Sequence, residues 1–203
     1  MTTAYVTTKD KSSPMLESFT GKTASPFSYG NGHVDPVAAL DPGLIYNITV
    51  DEYIDFLCAS RLPKVKIESI VGPYFNCSSN SNIYDLNYPS FSARYITEAA
   101  INGVYTAKFK RTVTNVGEAG TYKVDVSIHE PELVKISVEP SELTFNSYGE
   151  ERGFVVTVAM RTPPENSWVS WGRLIWSDGK HIVGSSMAFA WGDPRSFGQT
   201  IMV

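Results

Sequence analysis

From Tyr105 to Trp191 apolar residues recur at every second position, in one short run after another. Tyr105, Ala107, Phe109 and Val113 share one face of a strand, with Lys108, Lys110 and Thr112 on the other. Asn115-Val116-Gly117 turns the chain, and the alternation resumes through Tyr122, Val124, Val126 and Ile128. Val134 to Val138 follows, and Glu139-Pro140-Ser141 makes a turn before Leu143 and Phe145. Phe154, Val156, Val158 and Met160 line the next inward face. Trp171 to Trp176 and His181 to Trp191 flank Asp178-Gly179, a two-residue hairpin signal that favours a type I′ turn. Seven strands with turns about every ten residues predict an antiparallel sandwich. There is no internal repeat and no heptad stretch.

The first part of the chain has a different pattern. Residues 1–48 are rich in Gly, Pro, Ser and Thr and show little periodicity. Thr49-Val50-Asp51-Glu52 fits a capping box, and Asp51 and Glu52 complement the positive end of a helix dipole. Tyr53, Ile54, Leu57 and Cys58 then recur at helical spacing and predict one buried face. A second short helix is predicted from Pro63, at the first helical position, through Ile67 and Ile70 to a stop at Gly72-Pro73. A bridge between Cys58, at the end of the first helix, and Cys77, in the loop after the second, would contribute about 3 kcal/mol on the chain-entropy model.

Composition excludes several classes. The 203 residues are 42% hydrophobic and 12% aromatic, enough for a core and too apolar for a disordered chain. The net charge of −4 gives no basic field for a phosphate backbone, so no nucleic-acid partner is expected. No apolar stretch is long enough to span a membrane as a helix. MTTAYVTTKDKSSPMLESF lacks the cationic start and apolar block of an export signal. Yet the paired cysteines and the sequons Asn47-Ile48-Thr49 and Asn76-Cys77-Ser78 point to an oxidising lumen. That contrast leads us to expect a piece of a secreted protein.

Candidate chemistry is sparse. His33, His129 and His181 are far apart and no C-x-x-C pair occurs, so no metal site is expected. Gly30-Asn31-Gly32 is a loop without the strand and helix of a dinucleotide site, and no cofactor is expected. Gly184-Ser185-Ser186-Met187-Ala188 resembles the G-T-S-M-A run around the nucleophile of subtilisin-like proteases, and His181 and Asp178 are near in sequence. Such a serine sits at a helix amino terminus, where amides help hold the oxyanion. Here the run falls in a predicted strand, Phe189-Ala190-Trp191 replaces the usual Pro-His, and Asp178 suits the turn for backbone reasons. The catalytic reading is therefore set aside. Lys64-Val65-Lys66 and Lys108-Phe109-Lys110-Arg111 read as solvated faces. Trp168, Trp171, Trp176 and Trp191 could form a glycan platform, but at least two are expected to be packing residues.

Longer segments carry a resemblance. SPFSYGNGHVDPVAALDPGLIYNITVDEYIDFLCAS (25–60) closely resembles the end of the catalytic domain in plant subtilisin-like serine proteases of the cucumisin-like group. DLNYPSFSA (85–93), RTVTNVGEAGTYKV (111–124), VKISVEPSELTF (134–145) and WGRLIWSDGKHIV (171–183) resemble the fibronectin type III-like domain that ends those enzymes. Met1-Thr2-Thr3-Ala4 is similar to the family's M-T-T-A, on the helical stretch after the catalytic serine. The implied fold is mainly β: a seven-stranded antiparallel fibronectin type III-like sandwich preceded by a short helical and loop remnant of an α/β subtilisin domain. The implied division is a catalytic-domain remnant at 1–82, the sandwich at 83–191 and a divergent tail at 192–203. The resemblance implies a Cys58–Cys77 disulfide, glycosylation at Asn47 and Asn76, and secretion of the parent protein. All three triad motifs of these endopeptidases belong upstream, so no residue here is assigned a catalytic role and the chain alone is expected to be inactive. Its implied partner is the catalytic domain, normally in the same chain. Two functions remain open: a structural β module of a subtilisin-like protease, or a free-standing secreted module that binds a protein or glycan. Residues 1–82 are expected to be the less stable part.

Overall fold

A computed structural model of the chain describes residues 1–8, 10, 12–163 and 169–192. Two sheets face each other. One has the order β1 (Leu44–Ile45), β3 (Val104–Asn115), β7 (Glu151–Arg161), β5 (Val134–Glu139). The other has the order β2 (Ser90–Arg94), β9 (Ile182–Ala190), β8 (Val169–Ser177), β4 (Gly120–Ile128), β6 (Glu142–Phe145). The seven expected strands are β3 to β9. Their inward residues meet as the alternation requires. Phe109, Val113, Tyr122, Phe154, Val156, Val158 and Trp176 are buried, and Val124 is partly buried. Phe154 meets Trp176 edge-on with ring centroids 5.2 Å apart, and Phe91 meets Phe109 in the same way at 5.4 Å.

Three details differ from expectation. First, β1 and β2 add to the seven strands, and β2 runs parallel to β9 with Ser90 opposite Ser186. The sandwich is therefore not purely antiparallel. The two residues of β1 are too few to show a period. In β2 the alternation rests on Phe91 and Ala93 alone, both buried. Second, Ser177 pairs with Ile182, so the β8–β9 loop has four residues, 178–181, instead of two. Asp178 Oδ1 accepts from the amides of Lys180 (2.9 Å) and His181 (2.6 Å), and this side-chain turn replaces the tight backbone turn. Third, Arg111 is 5% exposed, not solvated. It continues the inward series Ala107, Phe109, Arg111, Val113, and its guanidinium lies over the Phe91 and Phe109 rings at 5.0 and 5.6 Å. It donates to the carbonyls of Tyr84 (2.6 Å), Tyr88 (2.9 Å) and Ser90 (3.3 Å). Burial lowers its pKa to about 10.

Segment 82–89 closes the open side of β3 without being a strand. Asn87 accepts from the Thr112 amide and donates to the Thr112 carbonyl, both at 2.8 Å, as a neighbouring backbone would. It also donates to the Asn47 carbonyl at 2.8 Å. Asp85 accepts from the Lys110 amide at 3.1 Å.

Helix α1 is a single turn, Pro26–Tyr29. Helix α2, Val50–Ala59, has its capping box: the Glu52 amide donates to Thr49 Oγ1 (3.2 Å) and the Thr49 amide to Glu52 Oε2 (2.7 Å). The face through Tyr53, Ile54, Leu57 and Cys58 is only partly covered. No residue of α2 is buried, and Tyr53 is 47% exposed. In α3, Lys64–Val71, Pro63 is the capping residue just before the helix; Ile67 is buried but Ile70 is 63% exposed. Among the described residues the principal element contact of α2 is with α3 alone, which leaves these faces partly unfilled. Cys58 and Cys77 are disulfide-bonded, with Cα atoms 5.9 Å apart. Asp55 ties down the same loop, accepting from Ser78 N (2.8 Å) and Oγ (2.7 Å) and from Ser81 Oγ (3.2 Å). Met1–Ala4 forms a turn, with the Ala4 amide on the Met1 carbonyl, instead of the helical stretch that the resemblance implied.

Candidate functional site

One group of side chains that links the amino-terminal segment to the sandwich converges on His181. The β8–β9 loop presents its ring, and Asp178 of the same loop accepts from Nδ1 at 2.8 Å. From the amino-terminal segment Asp41 brings Oδ1 to 3.1 Å from Nε2, at ion-pair distance but off the line of a hydrogen bond. Lys180 Nζ is 3.0 Å from the other Asp41 oxygen. Tyr122 Oη lies 3.3 Å from Nδ1, inside the sandwich. Gly43 passes directly over this group with φ +73°; a Cβ there would stand 2.5 Å from Tyr122 Oη and 2.8 Å from the His181 ring. Beyond it β1 pairs with the end of β3, Leu44 opposite Asn115, and Leu44 is fully buried.

The electrostatics follow from the contacts. Burial raises the carboxyl pKa of Asp178, but the His181 and Lys180 amides and the His181 ring outweigh it and hold it at about 2. The Lys180 ammonium, with His181 at ion-pair distance, lowers that of Asp41. Burial alone would lower the pKa of His181; the hydrogen bond to Asp178 and the nearby Asp41 carboxylate outweigh it and raise it. Burial, with the Asp178 charge, pushes the Tyr122 phenol up.

This geometry does not make a catalytic triad. His181 and Asp178 do meet, but both ring nitrogens face carboxylates, which leaves no lone pair for a serine hydroxyl. Ser185 is fully buried on the inward face of β9, where its hydroxyl is 3.4 Å from that of Tyr46. Loss of water pushes the Tyr46 phenol up to about 12. Ser186 is 6% exposed on the opposite face. Neither serine is at a helix start.

The other singled-out residues lie apart from this junction. Trp176 and Trp191 are buried, Trp171 stacks on His129 at 3.9 Å, and Trp168 is outside the described residues, as is the tail from 193. His33 stacks on Tyr5 beside Gly30-Asn31-Gly32. Lys64, Lys66, Lys108 and Lys110 are exposed. Asn47 and Asn76 are exposed; Asn47 Nδ2 donates to Thr114 Oγ1 at 3.1 Å. A cleft of about 510 Å³ adjoins the junction, between residues 3–7 and Arg173, Lys180 and His181. Arg173 donates to the Ala4 carbonyl at 2.7 Å, and the Gly184 amide donates to the Thr2 carbonyl at 2.7 Å, so the first residues are fastened to β8 and β9. Asp41, Gly43 and Asn87 were not singled out from sequence, and Asn115 only as part of a turn. A glycine after Asp-Pro reads as an ordinary turn until its distant neighbours are known.

The two facing sheets, with a polar junction at one end, define a β-sandwich module. Residues 85–189 match the fibronectin type-III domain model, and the chain belongs to that family. Similarity extends beyond the sandwich. Over 193 residues, 94% of the chain, it is 44% identical to subtilisin-like protease SBT1.7 of Arabidopsis thaliana, covering 24% of that protein. It is 37% identical over 193 residues to SBT1.5, and 39% over 180 residues to SBT4.11, both from the same plant and each covered to 24%. The chain thus spans about a quarter of the length of these relatives. Among the described residues no helix is long and apolar enough to cross a membrane.

Proposed function

We propose that the chain is the non-catalytic, carboxy-terminal part of a secreted subtilisin-like serine endopeptidase. In this reading residues 1–82 are the end of the catalytic domain, residues 83–191 are the sandwich that supports it, and 192–203 are a divergent tail. One observation carries the reading: the 44% identity runs over 94% of the chain, well outside the sandwich match at 85–189. Exposure supports it. Among the described residues, most large exposed apolar side chains precede residue 83, including Phe19 (99%), Leu40 (86%) and Tyr74 (96%). Such a surface fits a face that a larger body covers. Secretion fits the Cys58–Cys77 bond, and Asn47 and Asn76 are the proposed glycan acceptors.

The test is association with SBT1.7 lacking the region that this chain matches. A complex in size-exclusion chromatography, with loss of apolar-dye binding by the chain, is expected. No complex at micromolar concentrations would overturn the reading.

A further inference from the structure

We infer that the Asp41–His181–Asp178 row is a proton-operated clasp, closing residues 41–46 onto the sandwich when His181 is an imidazolium and slackening when it is neutral. The inference rests on donor counting. A neutral imidazole donates from one nitrogen only. Nδ1 is committed to Asp178 at 2.8 Å, so the neutral ring would turn the lone pair of Nε2 toward Asp41 Oδ1 at 3.1 Å. The imidazolium keeps its N–H on Asp178 and brings a positive charge to Asp41 at ion-pair distance, so it suits both carboxylates. His181 Nε2 is buried while the Asp41 side chain is 55% exposed, so the ring has no water in place of Asp41 in the closed arrangement although Asp41 itself stays hydrated.

The charged and titratable groups around the ring are few. Asp178 and Lys180 come from its own loop, Asp41 from the amino-terminal segment and Tyr122 from β4; Glu118, before β4, acts on Lys180. Lys180 holds Asp41 at any pH below its own titration, so loss of the His181 proton loosens the clasp without opening it. The backbone beside it would register the change, because the Val116 amide donates to the Gly43 carbonyl at 2.9 Å.

The sign follows from the raised basicity of His181. A group whose pKa is higher in the closed form contributes its full stabilisation below its ordinary value of about 6.5, and loses it as pH rises through the raised one. Each unit between the closed and open pKa values makes closure about tenfold more favourable at low pH.

Hydrogen exchange of the whole chain between pH 5.5 and 9, corrected for intrinsic rates, tests this. The protection factors of Leu44 and Val116 are expected to fall with rising pH while those of Val156 and Val158 stay level. In His181→Gln and in Asp41→Asn, which leaves the β8–β9 loop intact, Leu44 and Val116 should be less protected at low pH and nearly pH-independent. Protection of Leu44 and Val116 that stays level in the unaltered chain would overturn the clasp, as would a pH dependence that survives in Asp41→Asn. So would a histidine titration by NMR that put His181 at or below its ordinary value.

Discussion

Replacing Gly43 by alanine should cost more than replacing any other left-handed glycine that has open space around it. Two effects add. An L side chain at φ +73° costs about 1–2 kcal/mol. The added methyl would also stand 2.5 Å from Tyr122 Oη and 2.8 Å from the His181 ring. Neither neighbour can retreat. Tyr122 is 1% exposed and edge-on to Phe145 at 5.9 Å, and His181 is held by Asp178. Overpacking of this kind adds about 1–3 kcal/mol. Gly149 is the control: its φ is +79°, but nothing lies within 4 Å of its Cβ position. Gly149→Ala should therefore cost about 1–2 kcal/mol and Gly43→Ala about 2–5 kcal/mol. Urea unfolding followed by tryptophan fluorescence compares the two, with the difference read from the midpoints at a common slope. Equal losses in the two variants would refute the packing of residues 41–46 against Tyr122 and His181.

Incubation with a fluorophosphonate probe should label neither Ser185 nor Ser186, because both are buried and neither faces His181; mass spectrometry locates any adduct. Replacing Cys58 and Cys77 by alanine should remove about 3 kcal/mol from the region they close, measured as lost exchange protection between residues 58 and 77, with β7 unchanged. Amides of α2 should exchange faster than those of β7, since a ten-residue helix without a buried residue is marginal in water; equal protection would show that residues 50–59 are stable in their own right. On the acid side, Asp178 has a pKa of about 2, below the ordinary carboxyl value of about 3.9. Its contribution is present above that ordinary value and is lost as pH falls through about 2, and Asp178→Asn should flatten that limb of a stability–pH curve.

Legibility in the sequence followed the range of the contacts. The long strands β3, β4, β7, β8 and β9 are readable because alternation is local and repeats over nine or more residues. Arg111 lies in step with Phe109 and Val113, but it stands in a basic run, whose charge points to solvent while the period points inward. The loop at Asp178-Gly179 was expected to be two residues shorter, since the dipeptide names a turn but not the side-chain bonds of Asp178 that hold a wider one. The GSSMA run was set aside on local grounds, and its burial in β9 agrees. The junction itself was not readable. Asp41 and Gly43 acquire their roles from Tyr122 and His181, which are remote in sequence.

The Asn87 bridge has a consequence for solubility. Backbone amides and carbonyls on the open side of β3 could recruit an extended segment from a neighbouring molecule. Asn87 occupies both groups of Thr112, and Asp85 the amide of Lys110. A single side-chain amide thus imitates one rung of a strand but cannot propagate a ladder. Its carboxamide stops growth at the position where a real strand would invite it. Fibrils grow by adding strands to such edges, so an asparagine that braces Asn47 to β3 also leaves an incoming strand fewer free groups to pair with.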